Sequence, residues 1–307
     1  MTNPPPTLRV VSINVGSLLE PNWEKRRVEV VSWLDYLDAD IVCLIEVWES
    51  DTTPNTAQWL ADTCRAEYHL AFGGAAIDPS LLPDPSLRFG KAVLSRWPIE
   101  SQVTVPLKPI PADQPGGEPE GSFIYLVGWD VLHVTAAGLD IFATHLVGAP
   151  NQGLHRQKQV KTIDEYVRSV RGTKDQVTFG QKRTSMPAIL AGDFNAEPES
   201  DEIRFLSSFT ALEGHTTFWQ DAWRMAGDSS PGYTQDWRVS PGAASLNVNR
   251  KRIDYIFVGD GFQREDSAGR ILHTELAFNH PRTDVLASDH FGVVTDIVWP
   301  QRPQWET

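Results

Sequence analysis

The sequence predicts an α/β fold in which two β-sheets pack face to face with helices outside. Two observations predict it: eight short runs are rich in β-branched or aromatic residues, and only two segments repeat apolar residues at helical spacing. Many strands with few long helices bury their apolar faces best as stacked sheets. With 41% apolar residues and 11 Trp, the 307-residue chain can fill a large core.

"LRVVSIN" (8–14) reads as the first strand. Val28, Val31, Leu34 and Leu37 then recur every three residues and predict one face of a helix ending before Asp40. "IVCLIEV" (41–47) reads as a strand in which Cys43 is most simply a buried thiol, and with Cys64 the only other cysteine, no disulfide framework is indicated. "DPSLLPDPS" (78–86) and "PLKPIPADQPGGEPEG" (106–121) are too rich in Pro, Gly and Asp for helix or central strand, so they read as long surface loops that shape a pocket. "GKAVLS" (90–95), "FIYLVGWDV" (123–131) and "LDIFATH" (139–145) read as strands. After Arg156, Val160, Ile163, Val167 and Val170 predict a second helix. "AILAGDF" (188–194), "RIDYIFV" (252–258) and "GVVTDIVW" (292–299) complete the strands. Trp219, Trp223 and Trp237 could stack on a substrate, but in a chain with 11 Trp they are assigned to the core.

Against 27 basic residues stand 40 acidic ones, a formal charge of −13 that works against long-range attraction to duplex nucleic acid. The N-terminus has neither the basic start nor the apolar segment of a secretory signal, and no stretch has the length of a membrane span. The expectation is a cytoplasmic protein, or a secreted one from which a signal has been removed, with no obligate protein partner.

Polar residues collect at strand ends. Asn14 ends the first strand, Glu46 lies near the end of the second, His145 ends "IFATH", and Asp193 and Asn195 end "ILAGDFN". Asp254 interrupts the start of "RIDYI", and Asp289 and His290 lead into the last strand. Singly, each has a turn or a solvated strand end as its explanation. Together they are a chemically coherent set. Carboxylate and amide oxygens suit a hard cation such as Mg²⁺ or Mn²⁺, and no Cys cluster or His-x-x-x-His pair points to zinc. A hard divalent ion beside a histidine that takes a proton near neutral pH is what hydrolysis of a phosphate ester requires. Neither a G-x-S-x-G elbow nor an activated cysteine suggests a covalent intermediate.

In order, "SINVGSL", "IVCLIEV", "GKAVLSRWPI", "FATHL" followed by "RQKQ", "ILAGDFNAEP", "RIDYIFV" and "ASDHFGV" resemble the motif blocks of the endonuclease/exonuclease/phosphatase superfamily. The resemblance runs from about residue 8 to 297, and "GDFN" together with "SDH" is its specific part. It implies a four-layer α/β sandwich, with residues 7–300 as one domain and 1–6 and 301–307 as short tails. It also implies roles. Glu46 matches the metal-binding glutamate, Asn14 an asparagine that helps form the metal site, and Asp289 a residue next to the metal. His290 matches the base and Asp254 the carboxylate that orients it. Asp193 and Asn195 match the pair beside the scissile phosphate, and His145 a histidine that contacts the phosphate or leaving group. The family divides over one metal or two, and over whether the His or the Asp activates water. Arg156 and Gln159 follow "THL" at a spacing seen in the family, and Arg250 and Lys251 of "NRKRID" could attract a phosphate; a solvated helix face and a solvated surface are the alternatives. The substrate is then a phosphate ester. A small-molecule or lipid phosphodiester is expected over DNA or RNA, with the Leu81-Leu82 pair a candidate for lipid contact. A non-catalytic binding module is the alternative of another class.

Overall fold

The computed structural model describes residues 6–16, 20–78, 80–82, 84–119, 121–239 and 249–304. Residues 1–5 and 305–307 of the two expected tails, and 79, 83 and 120 in the two proline-rich loops, lie outside the described residues. Among the described residues, twelve strands form two six-stranded sheets. The first runs, edge to edge, β11 (Ile271–Ala277), β12 (Gly292–Val298), β1 (Thr7–Asn14), β2 (Ile41–Glu49), β4 (Arg88–Ser95) and β3 (His69–Ala76). The second runs β5 (Ile99–Pro106), β6 (Asp130–Ala136), β7 (Leu139–His145), β8 (Ile189–Asp193), β10 (Asp254–Gly259) and β9 (Trp219–Asp221).

Each sheet has one parallel pair, β1–β2 and β7–β8, among antiparallel neighbours. A parallel pair needs a crossover, and a helix supplies each one: α1 (Trp23–Leu37) between β1 and β2, and α4 (Gly153–Arg171) between β7 and β8. Period-two alternation sorts these strands into layers. Val10, Ile41, Cys43, Ile141, Ala143 and Ile189 meet between the sheets. Val11, Ile13, Val42 and Leu44 face outward against Trp33, Leu34 and Leu37 of α1, and Phe142 and Leu190 face Val160, Ile163 and Val167 of α4. The result is a four-layer α/β sandwich. As expected, Cys43 is a buried free thiol, and burial pushes it up to about 12.

Several sequence expectations need correction. "FIYLVGWDV" is not a strand: Phe123–Leu126 form a short helix, α3, and pairing begins only at Asp130. A continuous apolar run does not reveal its period, and here packing decides: Ile124 is buried, and its carbonyl accepts from the Trp129 indole N–H at 3.0 Å. Strands β3, β5, β9 and β11 lack a readable pattern because β3 is rich in Ala and Gly, β5 is a mostly exposed edge, β9 has three residues and β11 breaks the alternation, exposing Leu272 and burying Thr274. In α1 the buried positions are Arg26, Glu29, Val30, Trp33, Leu34 and Leu37, whereas Val28 is exposed. The buried stripe includes two charged residues, so apolar spacing misplaced it. Val170 of α4 and Trp237 are likewise exposed, while Trp219 and Trp223 are buried as expected.

Candidate active site

Because β1 and β2 run parallel, as do β7 and β8, their carboxyl ends lie side by side at one edge of the sandwich. Asn14, Glu46, His145 and Asp193 occupy those ends. In register, His145 pairs with Asp193 across β7–β8, and Asp193 pairs with Asp254 across β8–β10, since antiparallel β10 starts where β8 finishes. Gly192 makes this approach possible. Its φ is +144°, and a Cβ there would fall 1.9 Å from the Thr144 carbonyl oxygen.

Glu46 is aimed by a bulge. The β2–β4 register slips between Ile45 and Val47, and Glu46 itself has φ of 64°. Asn14 spans the two sheets, its Nδ2 donating to Glu46 Oε1 at 3.0 Å and to Asp193 Oδ2 at 3.1 Å while its Oδ1 accepts from Gly16 N–H at 3.0 Å. Asn195, at φ of 49°, donates its N–H to Asp193 Oδ1 at 2.8 Å and its Nδ2 to the Leu146 carbonyl at 2.9 Å. Two non-glycine residues held at positive φ in one site are strain that the surrounding fold must hold.

His290 Nδ1 lies 2.9 Å from Asp254 Oδ2. Its Nε2 lies 3.9 Å from Asp193 Oδ2 and 3.5 Å from Gln235 Nε2. His145 Nε2 approaches the same Asp193 Oδ2 at 3.5 Å, and its ring meets Trp129 edge-on at 5.5 Å. Ser288 Oγ donates to Asp289 Oδ1 at 3.2 Å, and Gly16 packs so closely that a Cβ there would be 3.1 Å from the same oxygen. The structure therefore gathers Asn14, Glu46, His145, Asp193, Asn195, Asp254, Asp289 and His290 at one place.

Burial and like charge set the protonation states. Burial, with Asp289 adding to it, pushes Glu46 up to about 7. Burial and the facing Asp254 push Asp193 up to about 8. At His290 burial opposes the charged ring, but Asp254, Asp289 and Asp193 outweigh it and hold the imidazole well above its ordinary value. Burial, Lys91 and His290 push His145 down to about 3, so it stays neutral. Carboxyls that resist ionisation only because they are buried together are the donor set a divalent cation fits. One ligand atom each from Asp193, Asp254 and His290 also lie within 4.8 Å of one another, close enough to share an ion.

The weaker candidates are placed differently. Arg156 is buried under the loop after β7, with Nε on Glu202 Oε1 at 2.6 Å and Nη1 on the Val147 and Ala149 carbonyls. Gln159 Oε1 accepts from Val147 N–H at 3.2 Å. Both hold that loop and neither forms a solvated face. Arg250 is exposed over the Tyr233 ring, and the main chain of Lys251 pairs with Gln235. Sequence reasoning passed over Thr234, whose buried Oγ1 accepts from the N–H groups of both Ile253 and Asp254, and whose carbonyl accepts from Phe291 N–H. It also passed over Gln235, Glu20 and the buried Lys91–Asp130 ion pair at 2.6 Å. "GYTQDW" (232–237) has no periodicity to flag it, so only the fold shows that Thr234 touches the main chain beside both Asp254 and His290.

Solved structures share this architecture. D. rerio TDP2, solved with a single-strand DNA product, is 19% identical, with 95% of this chain and 98% of that chain covered at a TM-score of 0.64. The human Nocturnin catalytic domain, solved with a bound sulfate anion, is 19% identical over 95% of this chain and 93% of its own, at 0.63. An endonuclease/exonuclease/phosphatase from Beutenbergia cavernae DSM 12333 is 23% identical over 95% of this chain and 71% of its own, at 0.61. At these identities the likeness shows the fold. No curated protein matches the chain. The model of the Endonuclease/Exonuclease/phosphatase family matches residues 11–290, nearly the whole sandwich and every residue of the gathered site, and the chain therefore belongs to that family of divalent-metal-dependent hydrolases of phosphoric esters.

Proposed function

We propose that the protein is a phosphodiesterase that hydrolyses a small-molecule or lipid phosphodiester by in-line attack of water. The observation that carries this reading is the His290–Asp254 pair facing Asp193 across 3.9 Å, beside the Glu46 and Asp289 carboxylates. Glu46 and Asp289 would hold the ion, with Asn14 orienting Glu46. The Asp193, Asp254 and His290 group is the weaker seat, because a charged imidazolium already balances it. When bound, a divalent ion supplies positive charge that polarises a phosphoryl oxygen and disfavours the imidazolium. His290 Nε2 then accepts the proton of the attacking water while Asp254 fixes the ring through Nδ1. Asp193 holds the water from the other side. Neutral His145 donates to a phosphate or leaving-group oxygen, and Asn195, anchored through Leu146, donates to a second phosphate oxygen.

The surroundings favour an organic substituent. Of the basic residues in "NRKRID", Arg252 is buried on both Asp221 oxygens at 2.9 Å, and Arg156 is bound to Glu202, so few cations remain to track a nucleic-acid backbone. From His145 an edge-on contact leads to Trp129 and another, at 6.2 Å, to exposed Phe123, an apolar path from site to surface. Leu81 is exposed in the 78–86 loop. The nuclease reading is favoured by one observation, the single-strand DNA product in the similar D. rerio TDP2 structure. A metal-replete screen over a phosphomonoester, bis(p-nitrophenyl) phosphate, a lysophospholipid, a sphingolipid, and single- and double-stranded DNA separates the two. Turnover fastest on DNA would replace the present reading with the nuclease one.

A further inference from the structure

Arg26 lies at the end of the first turn of α1, only 6% exposed, and among the described residues its guanidinium bonds no carboxylate. Its guanidinium instead meets five main-chain carbonyls. Nε donates to Pro21 at 2.8 Å, Nη1 to Val15 at 2.6 Å and Ala287 at 3.1 Å, and Nη2 to Gly16 at 3.0 Å and Glu20 at 2.9 Å. All five N–H donors of the group are thus in use. The carbonyls belong to two segments. Val15 and Gly16 directly follow Asn14, and Ala287 directly precedes Ser288, Asp289 and His290. Where those segments meet, Gly16 has φ of +53°, and a Cβ on it would come within 3.1 Å of Asp289 Oδ1 and 3.4 Å of Ser288 Oγ. There is no slack in this contact.

Five carbonyl dipoles also explain how a cation is tolerated there without a bonded counter-ion. A lysine could not make this fork, since it has three donors on a point charge. We infer that Arg26 is a positioning residue for the divalent-metal site: by bonding the main chain on both sides, it fixes the distance between the Asn14–Glu46 side and Asp289. This rests on the metal seat proposed above.

Two effects of removing Arg26 oppose each other. Losing a nearby positive charge makes the carboxylates a better cation seat, whereas losing the grip separates them. The sign of the change therefore identifies the role. Mn²⁺ binding is measured by titration calorimetry on the apo protein, together with the melting temperature with and without Mn²⁺, for wild type, Arg26→Lys, Arg26→Met and Glu46→Gln. Positioning predicts that Arg26→Lys, which keeps the charge and the stem, weakens Mn²⁺ by roughly 10-fold or more, as loss of an outer-shell support does. Arg26→Met should weaken it as well. Unchanged Mn²⁺ affinity in Arg26→Lys, or tighter binding in Arg26→Met, overturns the inference and leaves Arg26 a structural residue or a bare charge. Should Arg26→Met not fold, Arg26→Lys alone decides. Glu46→Gln separates the two levels: if it leaves Mn²⁺ affinity unchanged, the metal seat itself is wrong, whatever the Arg26 variants do.

Discussion

Asp193 and Asp254 are register partners across β8 and β10, and His290 closes over both, 2.9 Å from one carboxylate and 3.9 Å from the other. Two buried acids face each other because an antiparallel strand begins where its neighbour ends. The imidazole is the group that makes their proximity tolerable.

If His290 and Asp254 act as one unit, His290→Ala and Asp254→Ala should each lower kcat by roughly 10²-fold or more. The double variant should be little worse than the worse single one. Steady-state kinetics on the three variants checks this. Losses that multiply would assign the two residues to separate tasks.

Chelation should abolish turnover, and Mg²⁺ or Mn²⁺ should restore it. Glu46→Gln should raise the metal concentration for half activity, because the bulge aims Glu46 at the site and Glu49, the other acid of β2, is engaged by Asn55 and Arg88. Full turnover in chelator, with no metal found by elemental analysis, would remove the basis of the mechanism.

The ion-free protein should lose stability as pH rises. Glu46 at about 7, Asp193 at about 8 and a raised His290 all bind protons in the folded state that the unfolded chain has already released. These three groups therefore contribute stability that is fully present below about pH 4 and lost as pH passes through about 8, whereas His145, held down to about 3, works the other way below its ordinary value. Melting temperatures in chelator should fall between pH 7 and 9, above the range in which His145 opposes the trend, less steeply in Asp193→Asn and less steeply with Mn²⁺ present. A flat or rising profile contradicts the assignment.

Bis(p-nitrophenyl) phosphate or a lysophospholipid should be hydrolysed more efficiently than plasmid DNA. Phe123→Ala should raise KM for the lipid more than for a small diester, because the ring lies two contacts from His145. Plasmid cleavage that is at least as efficient and falls steeply with salt points to a nuclease instead.

The eight residues were legible in the sequence because each ends, interrupts or leads into an apolar run, and a polar residue there needs an explanation. Arg26 and Thr234 were not legible. Both act through main-chain groups, some of them far away in sequence, and carbonyls and N–H groups carry no residue identity to read. Arg156 shows the converse error. Its spacing after "THL" was visible, but Glu202, its buried partner 46 residues on, was not. In the fold, "FIYLV" was misread for a similar reason: packing against Trp129 chose its conformation over local preference.

Asn14 bonds Glu46 in one sheet and Asp193 in the other, so its amide measures the gap between the two halves of the molecule. A shift of the sheets by one bond length would leave every strand paired and the apolar interior closed, yet it would pull these two carboxylates out of common reach. Catalysis is thus a more sensitive gauge of how the halves are seated than any spectroscopic measure of helix and strand. On gentle heating or in mild denaturant, turnover should disappear while circular dichroism still reports an intact sandwich.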